Sequence, residues 1–448
     1  MSLHEELYLV TSRTVRRSKF LRRYEALIAT VSGSCGKGRR SALADLHAAL
    51  IPLVTDEENL MAALRHVESH GGTALGSDRL APTDMSTSRQ WEFVRSLRDL
   101  LRRGDYAQGE LLSNKVPKRP GSREKRTIYV QTLSDRVVSG ALTQVVEPIL
   151  NLTAEPYSFC GSGGGVRRAI ASAAYFAARE QRSRWIVEDL TKAYDCIPRQ
   201  KLSDILGSAL PNPEVCNLCL ELAKAPAKRG ILQGASISPV LLNIYLDRTL
   251  HQPWRKAHPR VPLLRYADDL VVAGNADDDL DACYDTLTNL AVSSGFRLKH
   301  CATTAIHDLS RSEAEWLGFF LRIVDGRMSI RPSSYRSGSL ELDQAYSQRR
   351  REAFLRLHER HYGCLHVEEV VRGHVEHLAP GFQHADREAI CREIEKAAMD
   401  AGFHVQGGVE WIQLAWGEAN KRYLQIAATV ENQWARRRQH TFASERTT

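Results

Sequence analysis

The tightest constraint on this 448-residue chain is a pair of adjacent carboxylates, Asp268 and Asp269, held between two apolar runs. Val261-Pro262-Leu263-Leu264 precedes Arg265-Tyr266-Ala267-Asp268-Asp269, and Leu270-Val271-Val272-Ala273 follows it. Both runs have the length and residue types of buried strands, which predicts a β-hairpin with the acids at its tip. Two acids at a tight turn between apolar arms are costly to desolvate unless a cation binds there. Mg²⁺ suits such a site because it takes carboxylate and phosphate oxygens together. Two Mg²⁺ ions are therefore expected, with Mn²⁺ as the alternative, and the chemistry they imply is phosphoryl transfer.

The formal charge of +8 and the pI near 9.0 are unevenly spread. Basic clusters fall at Arg13–Arg23, Lys37–Arg40, Lys115–Arg126, Arg349–Arg351 and Arg436–Arg438. Separate cationic clusters beside a phosphoryl-transfer centre favour a long polyanion, nucleic acid first among them. The nine cysteines form no disulfide framework, and Cys216-x-x-Cys219 lies in a Leu-rich helical stretch that reads as core. No apolar run approaches a membrane span, and Glu5 and Glu6 interrupt any leader-like segment at the N-terminus. The expectation is a cytoplasmic protein with no membrane partner; whether it forms a homo-oligomer stays open.

Residues 1–60 read as basic helices broken by the loop Ser32–Gly38, and residues 61–112 as two helices around a loop from Gly71 to Pro82. Lys115–Val130 alternates like a hairpin with a basic turn, Lys118–Arg123. Ser134–Leu150 reads as an amphipathic helix capped by Ser134. A short strand, Trp185–Leu190, ends in acids. Helices are predicted at 198–208, 213–225, 236–250 and 278–293, and a buried strand over Trp316–Ile323. Beyond about 335 the chain reads as a separate helical domain, with a stripe of Tyr423, Ile426, Ala427 and Val430 at helical spacing.

A two-metal centre needs a third carboxylate from another strand. Asp189, at the end of its strand some eighty residues upstream, is the candidate. With it in place, ordered blocks over roughly residues 71–323 resemble those of bacterial reverse transcriptases, most nearly the group II intron-like lineage and its stand-alone, defence-associated members. The blocks are Gly71–Asp78, Val116–Arg126, Asp135–Val138, Pro156–Phe159, Asp189–Asp195, Gln233–Pro239 with Asn243–Leu246, Tyr266–Asp269, and Trp316–Phe319.

The resemblance implies an α+β, right-hand polymerase fold with fingers, palm and helical thumb. On that pattern 1–60 is a basic helical N-terminal extension, 61–184 the fingers, 185–334 the palm, and 335–448 a helical thumb or C-terminal domain. It implies that Asp189, Asp268 and Asp269 are catalytic and hold the metals with Leu190. Lys118, Arg119, Arg126, Tyr194, Gln233 and Lys299 would meet the nucleotide, Tyr194 as a steric gate that excludes a 2′-OH. Gly234, Tyr266, Trp316, Leu317 and Gly318 would meet primer or template. Two blocks depart from the family. Cys160–Gly165 stands where an Arg-Pro loop is usual, and Ala302 stands where a Lys is common, which leaves Lys299, His300 or no residue at all as the proton donor to pyrophosphate.

The implied activity is RNA-templated DNA synthesis from dNTPs on a DNA primer, giving cDNA. No Cys/His cluster or nuclease-like run is visible near the C-terminus. The resemblance therefore favours an antiphage enzyme that copies a dedicated non-coding RNA. The alternatives are a group II intron-type maturase that binds RNA, and a template-independent nucleotidyl transferase.

Overall fold

The computed structural model describes residues 19–70, 75–117, 125–160, 164–332, 364–381, 387–400 and 404–445. Over these residues the chain is α+β, with nine strands in three antiparallel sheets. β1 (Leu112–Pro117) and β2 (Lys125–Val130) form a hairpin, as the alternation predicts. The basic turn that joins them lies outside the described residues. β3 (Arg184–Asp189), β4 (Leu263–Tyr266), β5 (Asp269–Gly274) and β6 (Ile306–Asp308) form the central sheet in the order β4-β5-β3-β6.

Period-two alternation sends the two faces of this sheet into different cores. Ile186, Leu263, Leu270 and Val272 enter one, while Trp185, Leu264, Val271 and Ala273 enter the other. Because neither face meets water, the strands read as unbroken apolar runs instead of alternating ones.

The first core is closed by helices, among them Glu57–His70, Leu133–Asn151, Ser238–Leu246 and Leu280–Ser293. The N-terminal helix Lys19–Gly33 inserts Phe20, Leu21, Tyr24 and Val31 into it, and the Tyr24 hydroxyl donates to the Val145 carbonyl at 2.6 Å. A second basic helix, Gly36–Ala48, follows after a short break at Ser34 and Cys35, narrower than the loop expected there.

Helix Leu133–Asn151 is capped by Thr132, not Ser134. The Thr132 hydroxyl accepts from the Asp135 N–H at 3.2 Å and donates to the Asp135 carboxylate at 2.7 Å. Only the hydroxyl three residues before an acid can make that reciprocal pair, which is why the cap falls there. The expected helix at 213–225 runs Pro213–Leu222 and buries Cys216 and Cys219 as free thiols.

The second core joins the back of the sheet to helix Gly165–Arg179 and to Cys364–Leu378, Arg387–Asp400 and Gly408–Glu445. Tyr423 and Val430 are buried in it, with Ile426 and Ala427 packed at its edge. Trp434 rests on Tyr157 and Phe176, with ring centroids 4.8 and 6.0 Å away. The helical tail shares a core with the sheet instead of standing apart.

The stretch from Trp316 is not one strand. β7 (Ala314–Trp316) turns back into β8 (Phe319–Val324), which pairs with β9 (Arg327–Pro332). Leu317 and Gly318, at φ 50° and 80°, make the two-residue turn whose positive φ values match strand twist. Hydrophobicity alone could not reveal that reversal. None of the described helices is long and apolar enough to cross a membrane.

Trp434→Ala should lower stability by about 3–5 kcal/mol, the usual cost of emptying a buried aromatic site, measured by urea unfolding.

Candidate active site

In the antiparallel ladder of β3 and β5, Asp189 lies directly opposite Asp269. Tyr266 pairs with Asp269 across the β4–β5 hairpin, so Ala267 and Asp268 alone form the turn. Alternation places Asp189 and Asp269 on one face. The Leu190 N–H donates to the Asp268 carbonyl at 3.2 Å, which ties the strand end to the hairpin tip. Asp189, Asp268 and Asp269, two of them distant from the third in the chain, thus lie together at one end of the central sheet.

Their chemistry reflects that crowding. Burial, then the charges of Asp268 and Asp189, pushes the Asp269 carboxyl up to about 7. Asp268 is also raised, first by burial. The Lys299 ammonium sits 3.2 Å from Asp189 Oδ2 and opposes both shifts. Among the described residues no group of three ligating side chains is already gathered around a cation position. The acids form an open oxygen face, the arrangement that suits Mg²⁺, which commonly takes one or two carboxylates and completes its shell with phosphate and water. The donor set is all oxygen, and like-charge repulsion at Asp269 is relieved by a cation, so the residues fit such an ion.

Ala267 holds φ at 52°, a left-handed conformation unfavourable for a residue with a Cβ. The support beneath it is a fully buried Arg265. Its guanidinium donates to Ser158 Oγ at 2.9 Å, to the Asn243 carbonyl at 3.3 Å and, at the long limit of 3.4 Å, to the Ala267 carbonyl. Ser158 in turn donates to Asn243 Oδ1 at 2.8 Å. The Arg265 backbone also pairs with Tyr157 and Phe159, each at 2.9 Å. Burial pulls the guanidinium down to about 10, so it stays charged at neutral pH.

Tyr194 is half-buried close to the acids, since burial, Cys160, Asp268 and Tyr266 together raise its hydroxyl. Tyr266 is held likewise, pushed up to about 12 by burial, Cys160 and Asp269. Gln233 and Gly234 form a turn ahead of the helix that begins at Ser238. Gly234 has φ 112°, and a Cβ there would come within 3.2 Å of the Tyr129 carbonyl on β2. Arg126 is exposed on β2, in a different sheet from the acids. Lys118 and Arg119 lie outside the described residues.

Trp316 is a core residue, 2% exposed beside Phe319, so its ring is withdrawn from any bound strand. The turn residues Leu317 and Gly318 are the more accessible part of that motif.

Residues 116–321 match the family model described as reverse transcriptase (RNA-dependent DNA polymerase). The matched span holds all three acids and their supports. The chain is 27% identical over 231 residues to Protein YkfC of Escherichia coli (strain K12), covering 47% of this chain and 59% of that protein. It is 30% identical over 117 residues to the Gag-Pol polyprotein of Rous sarcoma virus subgroup B (strain Schmidt-Ruppin), covering 25% of this chain and 7% of the polyprotein. The chain thus spans less than two thirds of the length of either relative.

Sequence reasoning found the acids but gave no supporting role to Arg265, Ser158, Asn243 or Glu188. The available signal was an ionisable residue inside an apolar strand, at Arg265 and again at Glu188.

A carboxyl whose folded-state pKa is raised stabilises the fold below the unfolded carboxylate range and loses that stabilisation as pH climbs through its folded value. In chelator, wild-type melting temperature should therefore fall between pH 5 and pH 8 by several degrees more than that of Asp269→Asn, measured by scanning calorimetry.

Proposed function

We propose that the chain is an RNA-templated DNA polymerase whose reaction is two-metal nucleotidyl transfer. The observation that carries this reading is the Asp189–Asp269 pairing beside the Asp268 turn, inside the reverse transcriptase match. On this reading the central sheet is the palm, the β1–β2 hairpin belongs to the fingers, and the tail helices serve as thumb. Asp189, Asp268, Asp269 and the Leu190 carbonyl would hold divalent ions, Mg²⁺ or Mn²⁺. Ions bound there would lower the pKa of a primer 3′-OH and stabilise the departing pyrophosphate.

The chain's own residues do the rest. Arg265 and its partners keep the turn that presents Asp268 and Asp269 in one conformation. Tyr194 would set its ring against the sugar and so select dNTPs over NTPs by excluding a 2′-OH. Lys299 brings a cation to the acid edge where triphosphate oxygens arrive. Arg126, with Lys118 and Arg119, would approach the triphosphate from the fingers, since guanidinium and ammonium groups pair with phosphate. Gln233 and Gly234 would lie against the nascent base pair, and Leu317 and Gly318 would meet the primer.

The finer reading is a cytoplasmic antiphage enzyme that copies a dedicated non-coding RNA. It rests on the family resemblance and on the exposed Arg22, Arg23 and Lys37 of the N-terminal helices. RNA sequencing of purified protein should return one structured RNA, and cDNA copied from it; a random RNA population would reject this reading.

Asp268→Ala and Asp269→Ala should each lower dNTP incorporation on an RNA template at least about a hundredfold, with melting temperature held or raised. Tyr194→Ala should retain dNTP incorporation and admit NTPs, read by primer extension with each nucleotide pool. Full activity in either aspartate variant would overturn the assignment.

A further inference from the structure

Glu188 is the residue before Asp189 on β3, and strand alternation sends it to the opposite face. There its carboxylate is completely buried. A single oxygen, Oε2, receives the backbone N–H groups of Asp189 at 3.1 Å, Lys299 at 3.1 Å and His300 at 3.2 Å. His300 Nδ1 lies 3.4 Å from the same oxygen. Oε1 meets the Tyr284 hydroxyl at 3.5 Å, and that hydroxyl donates to the His300 carbonyl at 2.7 Å.

The target of this carboxylate is the chain segment that carries Lys299. β6 covers β3 only over Arg184–Ile186, which leaves the strand's acidic end unpaired on that edge. Residues 297–299 fill the gap: Thr191 N–H donates to the Arg297 carbonyl at 2.9 Å, and Lys299 N–H to the Asp189 carbonyl at 3.0 Å. Leu190 and Leu298 form the bridge between them. From this seat the Lys299 side chain reaches round the strand end, and its ammonium stops 3.2 Å from Asp189 Oδ2. The Lys299 N–H is shared between the Asp189 carbonyl and Glu188 Oε2, and no regular strand pairing continues past it, so the charge-assisted bonds to Glu188 secure the Lys299–His300 backbone where the strand contact ends.

We propose that Glu188 is a positioning residue: from the face behind the acids, its buried carboxylate clamps the 299–300 backbone and so holds the Lys299 ammonium on Asp189. The proposal rests on the polymerase reading for its kinetic consequence, though not for its geometry. An ordinary buried carboxylate that only stabilised the fold would act independently of Lys299.

The test is a double-mutant cycle on dNTP incorporation, paired with a chemical probe of Lys299. Glu188→Ala should lower kcat/KM for dNTP about tenfold in the wild-type background and less than about twofold in the Lys299→Ala background. Glu188→Gln keeps an acceptor oxygen for the N–H groups and should restore most of the loss. Acylation of Lys299 by an amine-reactive ester, followed by peptide mass spectrometry, should accelerate several-fold in Glu188→Ala and stay at the wild-type rate in Glu188→Gln. If Glu188→Ala does not fold, Glu188→Asp withdraws the oxygen by one methylene and carries both readouts. Additive kinetic losses, or an unchanged Lys299 acylation rate, would overturn the proposal. If wild-type protein fails to extend a primer while the acylation response appears as described, the polymerase reading falls and the clamp stands.

Discussion

The structure is organised around a repulsion. Register in the β3–β5 ladder sets Asp189 across from Asp269, and the hairpin turn adds Asp268 beside them. Burial first, and then the neighbouring negative charges, makes ionising these acids costly, as the raised Asp269 carboxyl records. Much of what surrounds the acids can be understood as the means of holding them together. Ladder hydrogen bonds fix the backbones, and Lys299 offsets part of the negative charge. The two hydrophobic cores make any slip of register costly, because moving one residue would send every strand side chain to the wrong face.

Two buried ions sit behind this arrangement, and they are not paired with each other. Arg265 lies beneath the hairpin turn and bonds mainly to neutral oxygens, those of Ser158, Asn243 and Ala267. Glu188 lies behind β3 and bonds mainly to backbone N–H groups. Each holds in place a segment next to the acids, Arg265 through a side-chain hydroxyl and two carbonyls, Glu188 through backbone N–H groups. An apolar residue at either place would pack well yet supply no direction to the loop it faces.

Much of this was legible in the sequence, because burial and hydrogen-bond chemistry leave marks there. The hairpin at 263–274 announced itself through two apolar arms around Asp268 and Asp269, and Asp189 through its place at the end of a short apolar strand. The stripe at Tyr423 and Val430 gave the buried face of the last helix. Other features were illegible for physical reasons. The Thr132 cap depends on which hydroxyl meets Asp135 in space. The reversal at Leu317 and Gly318 interrupts an apolar run without a polar residue to mark it. Trp316 belongs to a recognisable motif, yet its ring is used for packing. Long-range partners such as Glu188 and Lys299 share no periodic signal at all.

The last helix has a consequence that reaches past its own packing. Trp434 lies against Tyr157, and the Tyr157 carbonyl accepts the backbone N–H of Arg265, two residues ahead of the strained Ala267. The far C-terminal region is therefore a foundation stone under the acidic turn, and could not be exchanged for another lineage's appendage without rebuilding the ground it stands on. Inheritance should follow the same line: changes near Trp434 would have to be matched around Tyr157 and Phe176, coupling the drift of two segments that lie far apart along the chain.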